Sequence, residues 1–315
     1  MVKHLLGEAS SERFGVIVAD NFSTGHRDAL LGGDLVELDI ADAGALDAMF
    51  ARHRIDAVIH FASFIQVGES VKEPGKYYAN NLAATLTLLQ AMVRAGVGKL
   101  IFSSTAAVYG DPKYVPIDEA HLKAPINPYG RSKWMVEQIL EDYDRAYGLT
   151  SVRLRYFNAA GADPDGQLGE RHDPETHLIP LILRVASGRA PVLTVFGRDY
   201  DTPDGTCIRD YIHVTDLVEA HALALDYLIA GGESIAFNLG IGKGFSVQEV
   251  IDTAHRVTGR EILLQEAPRR EGDPPRLVAD ASLVGKVLGW QPKYGNLETI
   301  VAHAWAWEKK FSRNP

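Results

Sequence analysis

Short apolar runs alternate with helix-length segments through the first half of this chain, and that alternation constrains its fold more than any other feature. Residues 16–20, Val-Ile-Val-Ala-Asp, read as a buried strand, and residues 35–40 as the next, ahead of a helix over 43–53. A third strand over 57–62 precedes a long helix over 77–95. A fourth, over 99–103, leads through a loop to a helix over 128–147, and a fifth spans 151–157. Residues 2–8 read as the tail of a helix. Apolar strands separated in this way build βαβ units, whose parallel sheet is covered on both faces. The expected class is α/β: a doubly wound parallel sheet of Rossmann type.

The texture changes after Asn158. Residues 159–177 carry Gly161, Pro164, Gly166, Gly169 and Pro174 and are too long and polar for a plain connector, which marks a functional loop. A second polar loop covers 199–206. The expected division is a dinucleotide-type domain over 1–158 and a smaller mixed α/β substrate domain over 159–315, with some segments crossing back. On such sheets ligands sit beyond the carboxyl ends of the strands. Here those ends carry Asp20, Asp39, residues 60–63, residues 103–105, Phe157 and Asn158.

Charge and composition remove several classes of function. With 32 basic and 41 acidic residues the net charge is -9, opposite in sign to that of a nucleic-acid-binding domain. The single cysteine, Cys207, allows neither an internal disulfide nor a cysteine metal cluster and fits a reducing cytoplasm. No apolar run approaches the ~20 residues of a membrane span. The 11 histidines suggest no metal set, and His60, His213 and His221 each read as structural.

Ser103-Ser104-Thr105 and Tyr129-Gly130-Arg131-Ser132-Lys133 carry the chemistry. Tyr129 and Lys133 lie four apart at a helix start and share a face. An ammonium beside a phenol favours the phenolate, which can act as general base or acid on a hydroxyl. Thr105 ends a buried strand, where its hydroxyl can reach the same substrate oxygen. A bare Tyr-x-x-x-Lys is more often a solvated helix start; the strand-borne Ser-Ser-Thr upstream reverses that judgement.

With these residues in view, the chain resembles the extended short-chain dehydrogenase/reductase family, in its UDP-glucose 4-epimerase branch. The resemblance runs over nearly the whole chain, through residues 20–26, 60–62, 67–70, 77–81, 102–110, 128–133, 155–158 and 205–214. It implies NAD-dependent interconversion of UDP-glucose and UDP-galactose, with Thr105, Tyr129 and Lys133 as the catalytic residues. The 4,6-dehydratases of the family carry an Asp-Glu pair where this chain has Ala106 and Ala107, so dehydration is disfavoured.

The same resemblance implies contacts. Asp20, with Asn21, Phe22, Ser23, Thr24 and Gly25, would take the adenosine ribose of NAD, an acid at that strand end favouring NAD over NADP. Asp39, Ile40, Phe61, Ala62 and Ser63 would complete the adenosine end, and Asn80, Phe157, Tyr129 and Lys133 the nicotinamide end. Phe61 and Phe157 read equally well as core residues. Ile65 replaces a lysine found in many members. For the UDP-sugar the matches are Arg209 and Arg270 to pyrophosphate, Asp273 to the uridine ribose, and Asn158, His177, Leu178, Thr194, Val195 and Phe196 to sugar and uracil. Leu277 stands at the sugar-facing wall, where it leaves N-acetylated and pentose sugars as alternatives. A homodimer is also implied, through the helices over 77–95 and 129–147.

Gly240-Ile241-Gly242-Lys243-Gly244 reads as a tight turn rather than a phosphate loop. In the resemblance Met1 falls inside the first helix, so the first strand and its glycine loop are expected to be missing. The expected consequence is a slot in the sheet, with residues 16–20 and 99–103 beside it, and a chain that is not active as written. A catalytically dead sugar-nucleotide-binding protein is the corresponding alternative.

Overall fold

Strands form where the alternation places them. The computed structural model describes residues 1–7, 13–270 and 273–312. The chain divides into two units, each assembled from several stretches. The first comprises Met1–Gly110, Lys123–Arg155 and Val218–Phe237; the second comprises Asp111–Leu122, Tyr156–Leu217 and Asn238–Pro315.

Two sheets belong to the βαβ region. Ile17–Asp20 pairs in parallel with Asp34–Glu37, Val18 opposite Leu35. Val58–His60, Lys99–Thr105, Thr150–Tyr156 and Ile235–Leu239 form a four-stranded sheet in that order. Ile59 stands opposite Ile101 in its parallel first pair. Residues 17–20 lie outside the four-stranded sheet, but the expectation that residues 99–103 stand beside a gap fails. Lys99–Thr105 has a strand on either side, and the strand at the end of that sheet is Val58–His60. The reason is topological: the connections from the third strand to the fourth and from the fourth to the fifth each return the chain to the adjacent position, so the fourth strand is enclosed by the third and fifth.

Helix starts and stops follow from local chemistry. Asn127 accepts a 2.8 Å hydrogen bond from the Gly130 amide, Pro128 occupies the first turn, and Pro128–Tyr147 ends at Gly148 in the left-handed region. Its Val136 and Leu140 pack with Leu46, Met49, Leu88, Leu89, Met92, Leu100 and Phe102. The helix expected over 77–95 is Pro74–Tyr77, a π-helical stretch Tyr78–Ala84, and Thr85–Ala95. Side-chain chemistry marks the wide turn: Asn81 exchanges two 2.9 Å hydrogen bonds with the Phe64 backbone, and Thr85 Oγ1 donates to the Asn81 carbonyl. The helix expected over 2–8 is observed at Val2–Leu5, and Glu8 lies outside the described residues.

In the second unit, Ile208–His213 is the centre of a sheet. It pairs in parallel with Asn158–Ala160 and Arg276–Leu277 and antiparallel with Gly244–Ser246. Leu193–Phe196 pairs in parallel with Leu264–Ala267. Leu178–Ala186, Val247–Thr258 and Leu297–Ser312 bury Ile182, Val250, Ile251, Ile300 and Val301 in one core. The glycine cluster is a turn: Gly242 has φ +72°, and the Ile241 and Gly242 amides donate to the Asp210 carboxylate. Among the described residues no helix is long and apolar enough to cross a membrane.

Candidate active site

Thr105 ends its strand as the cap of a short 3-10 turn, its Oγ1 accepting from the Ala107 amide at 3.1 Å. The start of Pro128–Tyr147 lies against that turn. A Cβ on Gly130 would fall 2.5 Å from the Ala107 carbonyl oxygen, so only glycine permits this approach. The close packing brings Tyr129 and Lys133 to the strand end that carries Thr105. All three side chains are buried.

Lys133 reaches back along the strand: its Nζ donates to the Ser103 carbonyl at 2.9 Å and lies 4.9 Å from the centre of the Phe102 ring. Desolvation lowers its pKa to about 7, against the attraction of Glu137 one turn further along the helix. Tyr77 meets Tyr129 edge to face at 6.5 Å. Burial and the Glu69 carboxylate raise the Tyr77 pKa, which keeps that phenol protonated.

A buried polar network backs these residues. Arg155 holds Glu137 through both carboxylate oxygens and also donates to Tyr109 Oη at 3.0 Å. Ser104 Oγ donates to Glu137 at 2.5 Å. His221 bonds Ser103 Oγ at 3.3 Å, and His60 bonds Thr85 Oγ1 at 2.9 Å. His60, His213 and His221 are all buried within the fold.

Most of the residues expected around the cofactor lie in the first unit, and Phe157 lies in the second. Asp20 Oδ1 accepts from the Phe22 amide at 2.7 Å, and Phe22 takes φ +53°, a strained value for an aromatic residue. Asn21 bridges this turn to Asp39, donating to Oδ2 at 3.0 Å while its own oxygen accepts from the Ser23 amide. Gly25 leaves the Asp20 carboxylate uncrowded, since a Cβ there would sit 3.3 Å from it. Ser23, Thr24 and Gly25 are exposed; Ile40 is half-buried against the core. Phe61 is not a core residue: it is 46% exposed, its ring tilted over His221, next to exposed Ala62. Ser63 Oγ is buried without a hydrogen bond, an orphaned group of the kind a bound polar ligand satisfies. Ile65 is exposed. Asn80 lies in the π-helical stretch and donates to Asn81 Oδ1 at 2.9 Å.

The second unit gathers most of the residues expected to hold the nucleotide sugar. Arg209 forms a short ion pair with Asp273, and Leu277 stands opposite Arg209 in the paired strands. Arg270 lies 4.0 Å over the Phe196 ring. Thr194 and Phe196 share the half-buried face of their strand, whereas Val195 is 2% exposed within the core and leaves only backbone for a ligand. Phe157 and Asn158 are half-buried, Asn158 opposite Tyr211. His177 and Leu178 open the helix Leu178–Ala186, and His177 Nδ1 contacts Glu170.

The Glu137–Arg155 network escaped sequence reasoning, although Glu137 at the apolar spacing of Val136 and Leu140 was a usable signal. So did Glu170, His172 and Glu175, which join His177 from within the 159–177 loop.

The sequence profile of the NAD dependent epimerase/dehydratase family matches residues 2–240. A UDP-glucose 4-epimerase of Rhizobium meliloti is 51% identical over 307 residues, covering 98% of this chain and 93% of that protein. Among solved structures, UDP-glucose 4-epimerase from Brucella ovis in complex with NAD superposes with a TM-score of 0.93 at 49% identity, covering 96% of this chain and 93% of the other. The enzyme from Bifidobacterium longum, in complex with NAD+ and UDP, gives 0.92 at 40% identity, covering 98% and 93%.

Proposed function

This chain belongs to the NAD dependent epimerase/dehydratase family, and from that membership we propose that it interconverts UDP-glucose and UDP-galactose by epimerisation at sugar carbon 4. The observation that carries the reading is the packing of the Gly130 backbone on the Ala107 carbonyl, which sets Thr105, Tyr129 and Lys133 at one strand end.

In this reading Thr105 Oγ1 bonds the sugar 4-hydroxyl and orients it. Tyr129 takes the proton from that hydroxyl and returns it, a step typically worth 10²–10⁴-fold in rate. Lys133, anchored on Ser103, supplies the positive charge that favours the phenolate. NAD, when bound, supplies the acceptor and donor of hydride at carbon 4. Asp20, Asn21, Asp39, Phe61 and Ser63 would hold its adenosine end, and Asn80, Phe157, Tyr129 and Lys133 its nicotinamide end. Arg209 and Arg270 provide the planar forks that suit a pyrophosphate; Asp273 takes the uridine ribose, and Leu277 faces the sugar. Cofactor binding is assigned to the region 1–158 and nucleotide-sugar binding to 159–315. Ala106 and Ala107 cannot move protons, which argues against a dehydratase.

We further assign a cytoplasmic homodimer. Its support is Tyr147, 61% exposed beside Tyr143 at the end of Pro128–Tyr147, with half-buried Leu86 and Trp134 on the two long helices. Light scattering at micromolar concentration should give twice the chain mass of 34.4 kDa, and a monomer would exclude the dimer.

The activity is tested by incubating the protein with NAD and UDP-galactose and following UDP-glucose formation. Tyr129→Phe should lower turnover by about 10²–10⁴-fold while UDP-sugar binding persists. Turnover of the variant within tenfold of the parent would remove Tyr129 from its role.

A further inference from the structure

Two histidines and two glutamates converge in the long loop of the second unit, and of the four only His177 is matched to the nucleotide sugar. The sequence is Glu170-Arg-His172-Asp-Pro-Glu175-Thr-His177, and one ligand atom from each of the four named side chains lies within 4.8 Å of the others. His172 Nδ1 is 3.2 Å from Glu170 Oε1 and 3.5 Å from Glu175 Oε1. His177 Nδ1 touches Glu170 Oε1 and lies 3.8 Å from Glu175 Oε1. Both rings therefore turn the same nitrogen toward the same two carboxylates. Tetrahedral coordination with bonds of ~2.0–2.2 Å places ligand atoms ~3.3–3.6 Å apart, a spacing bracketed by the three separations other than the direct His177–Glu170 contact.

An independent feature points the same way. The Glu175 side chain is 1% exposed. Its Oε1 accepts from the Thr176 and His177 amides at 2.8 and 3.0 Å, but its Oε2 is buried with no hydrogen bond, the Arg184 guanidinium standing 4.0 Å away. A buried carboxylate oxygen without a donor is costly, and a bound cation is one of the few ways to satisfy it. Once both imidazoles have given up their protons, the two carboxylates carry a charge that a divalent ion cancels. The loop is also held from outside: Arg184 donates to the His172 carbonyl at 3.2 Å and Trp307 Nε1 to the Glu170 carbonyl at 3.1 Å. His172 and His177 are each more than a third exposed, which leaves an entry path.

We propose that Glu170, His172, Glu175 and His177 form a site for one divalent transition ion of the zinc class. Imidazole with carboxylate suits Zn²⁺ and Co²⁺, whereas Mg²⁺ prefers oxygen ligands and retained water. The site differs from the sequence expectation of no histidine set because its ligands come from one irregular loop, where no helical or strand spacing announces them. Because His177 is also matched to the nucleotide sugar, binding of the ion is measured without substrate.

The experiment uses untagged, chelator-treated protein and adds Co²⁺. One ion per chain should bind with the strong visible absorption of four-coordinate cobalt, Zn²⁺ should displace it, and Mg²⁺ should not. His172→Gln and Glu170→Gln should weaken Co²⁺ binding at least tenfold, while His303→Gln, a histidine of the same unit outside the cluster, should not. Should a variant fail to fold, a rise in the parent's thermal midpoint with Zn²⁺ but not with Mg²⁺ supplies the same discrimination. Absence of one-to-one binding, a weak six-coordinate cobalt spectrum, or binding unchanged in both Gln variants overturns the proposal.

Discussion

Lys133 Nζ donates a 2.9 Å hydrogen bond to the backbone carbonyl of Ser103, and through it the helix that carries Tyr129 is tied to the strand that carries Thr105. The amine is buried, and desolvation brings its pKa down to about 7 from 10.5. Between those values the unfolded chain binds more protons than the folded one, so stability should rise with pH across that window. Lys133→Met removes the group. The parent's thermal midpoint should therefore rise relative to that of the variant between pH 7 and pH 9. A constant difference between the two proteins would mean that Lys133 titrates as an ordinary lysine. Turnover of the variant should fall by about 10²–10³-fold, within the range of lost acid-base chemistry.

Gly130 makes the second junction between those elements. An added methyl would fall 2.5 Å from the Ala107 carbonyl oxygen, and since that atom is backbone, the strand end or the helix must move. Gly130→Ala should cost about 1–3 kcal/mol, as overpacking does. It should also lower turnover more than it raises KM, because the displaced residue beside it is Tyr129. An unchanged kcat in a stable Gly130→Ala protein would show that the junction does not position the site.

How much of this was legible beforehand depended on where the signal lay. Strand and helix existence followed from periodicity, because a parallel strand buried on both faces must be apolar throughout. The Ser103–Thr105 and Tyr129–Lys133 segments were readable because a strand end and a helix start fix their geometry locally. The sheet neighbours of Lys99–Thr105 were not, since pairing is decided by crossovers rather than by the strand's own residues. Phe61 read equally well as a cofactor contact or a core residue because an apolar side chain after a strand carries no mark of which way it points. The loop over 159–177 stood out by length and polarity, yet the meeting of Glu170, His172, Glu175 and His177 depends on its irregular path.

Glu137 and Arg155 form a buried pair, with Glu137 Oε2 2.5 Å from the Arg155 guanidinium and Ser104 donating to the other oxygen. Glu137→Gln keeps the shape and removes the charge, leaving a buried guanidinium without its counter-ion. Breaking one side of such a pair costs about 3–5 kcal/mol. The double variant Glu137→Gln with Arg155→Met should recover part of that loss, since neither charge is then stranded. Denaturant unfolding of the four proteins gives the coupling; single-variant losses that simply add would mean that the two side chains act independently.

His60 provides the acid limit. Its ring is buried against Phe102, and its Nε2 donates to Thr85 Oγ1, whose hydroxyl is committed to the Asn81 carbonyl. Desolvation, with a smaller contribution from the Lys133 charge, lowers its pKa to about 3 from 6.5. Between those values the unfolded chain takes up a proton that the folded chain refuses, so the stability His60 contributes is present above pH 6.5 and is lost as pH falls toward 3. Glutamine can place a donor near the same position without titrating. The His60→Gln protein should therefore lose less stability than the parent between pH 7 and pH 5, even if it starts from a lower midpoint. Denaturant midpoints measured at the two pH values check this directly. Equal losses in both proteins would place the acid sensitivity elsewhere and leave His60 as a packing residue only.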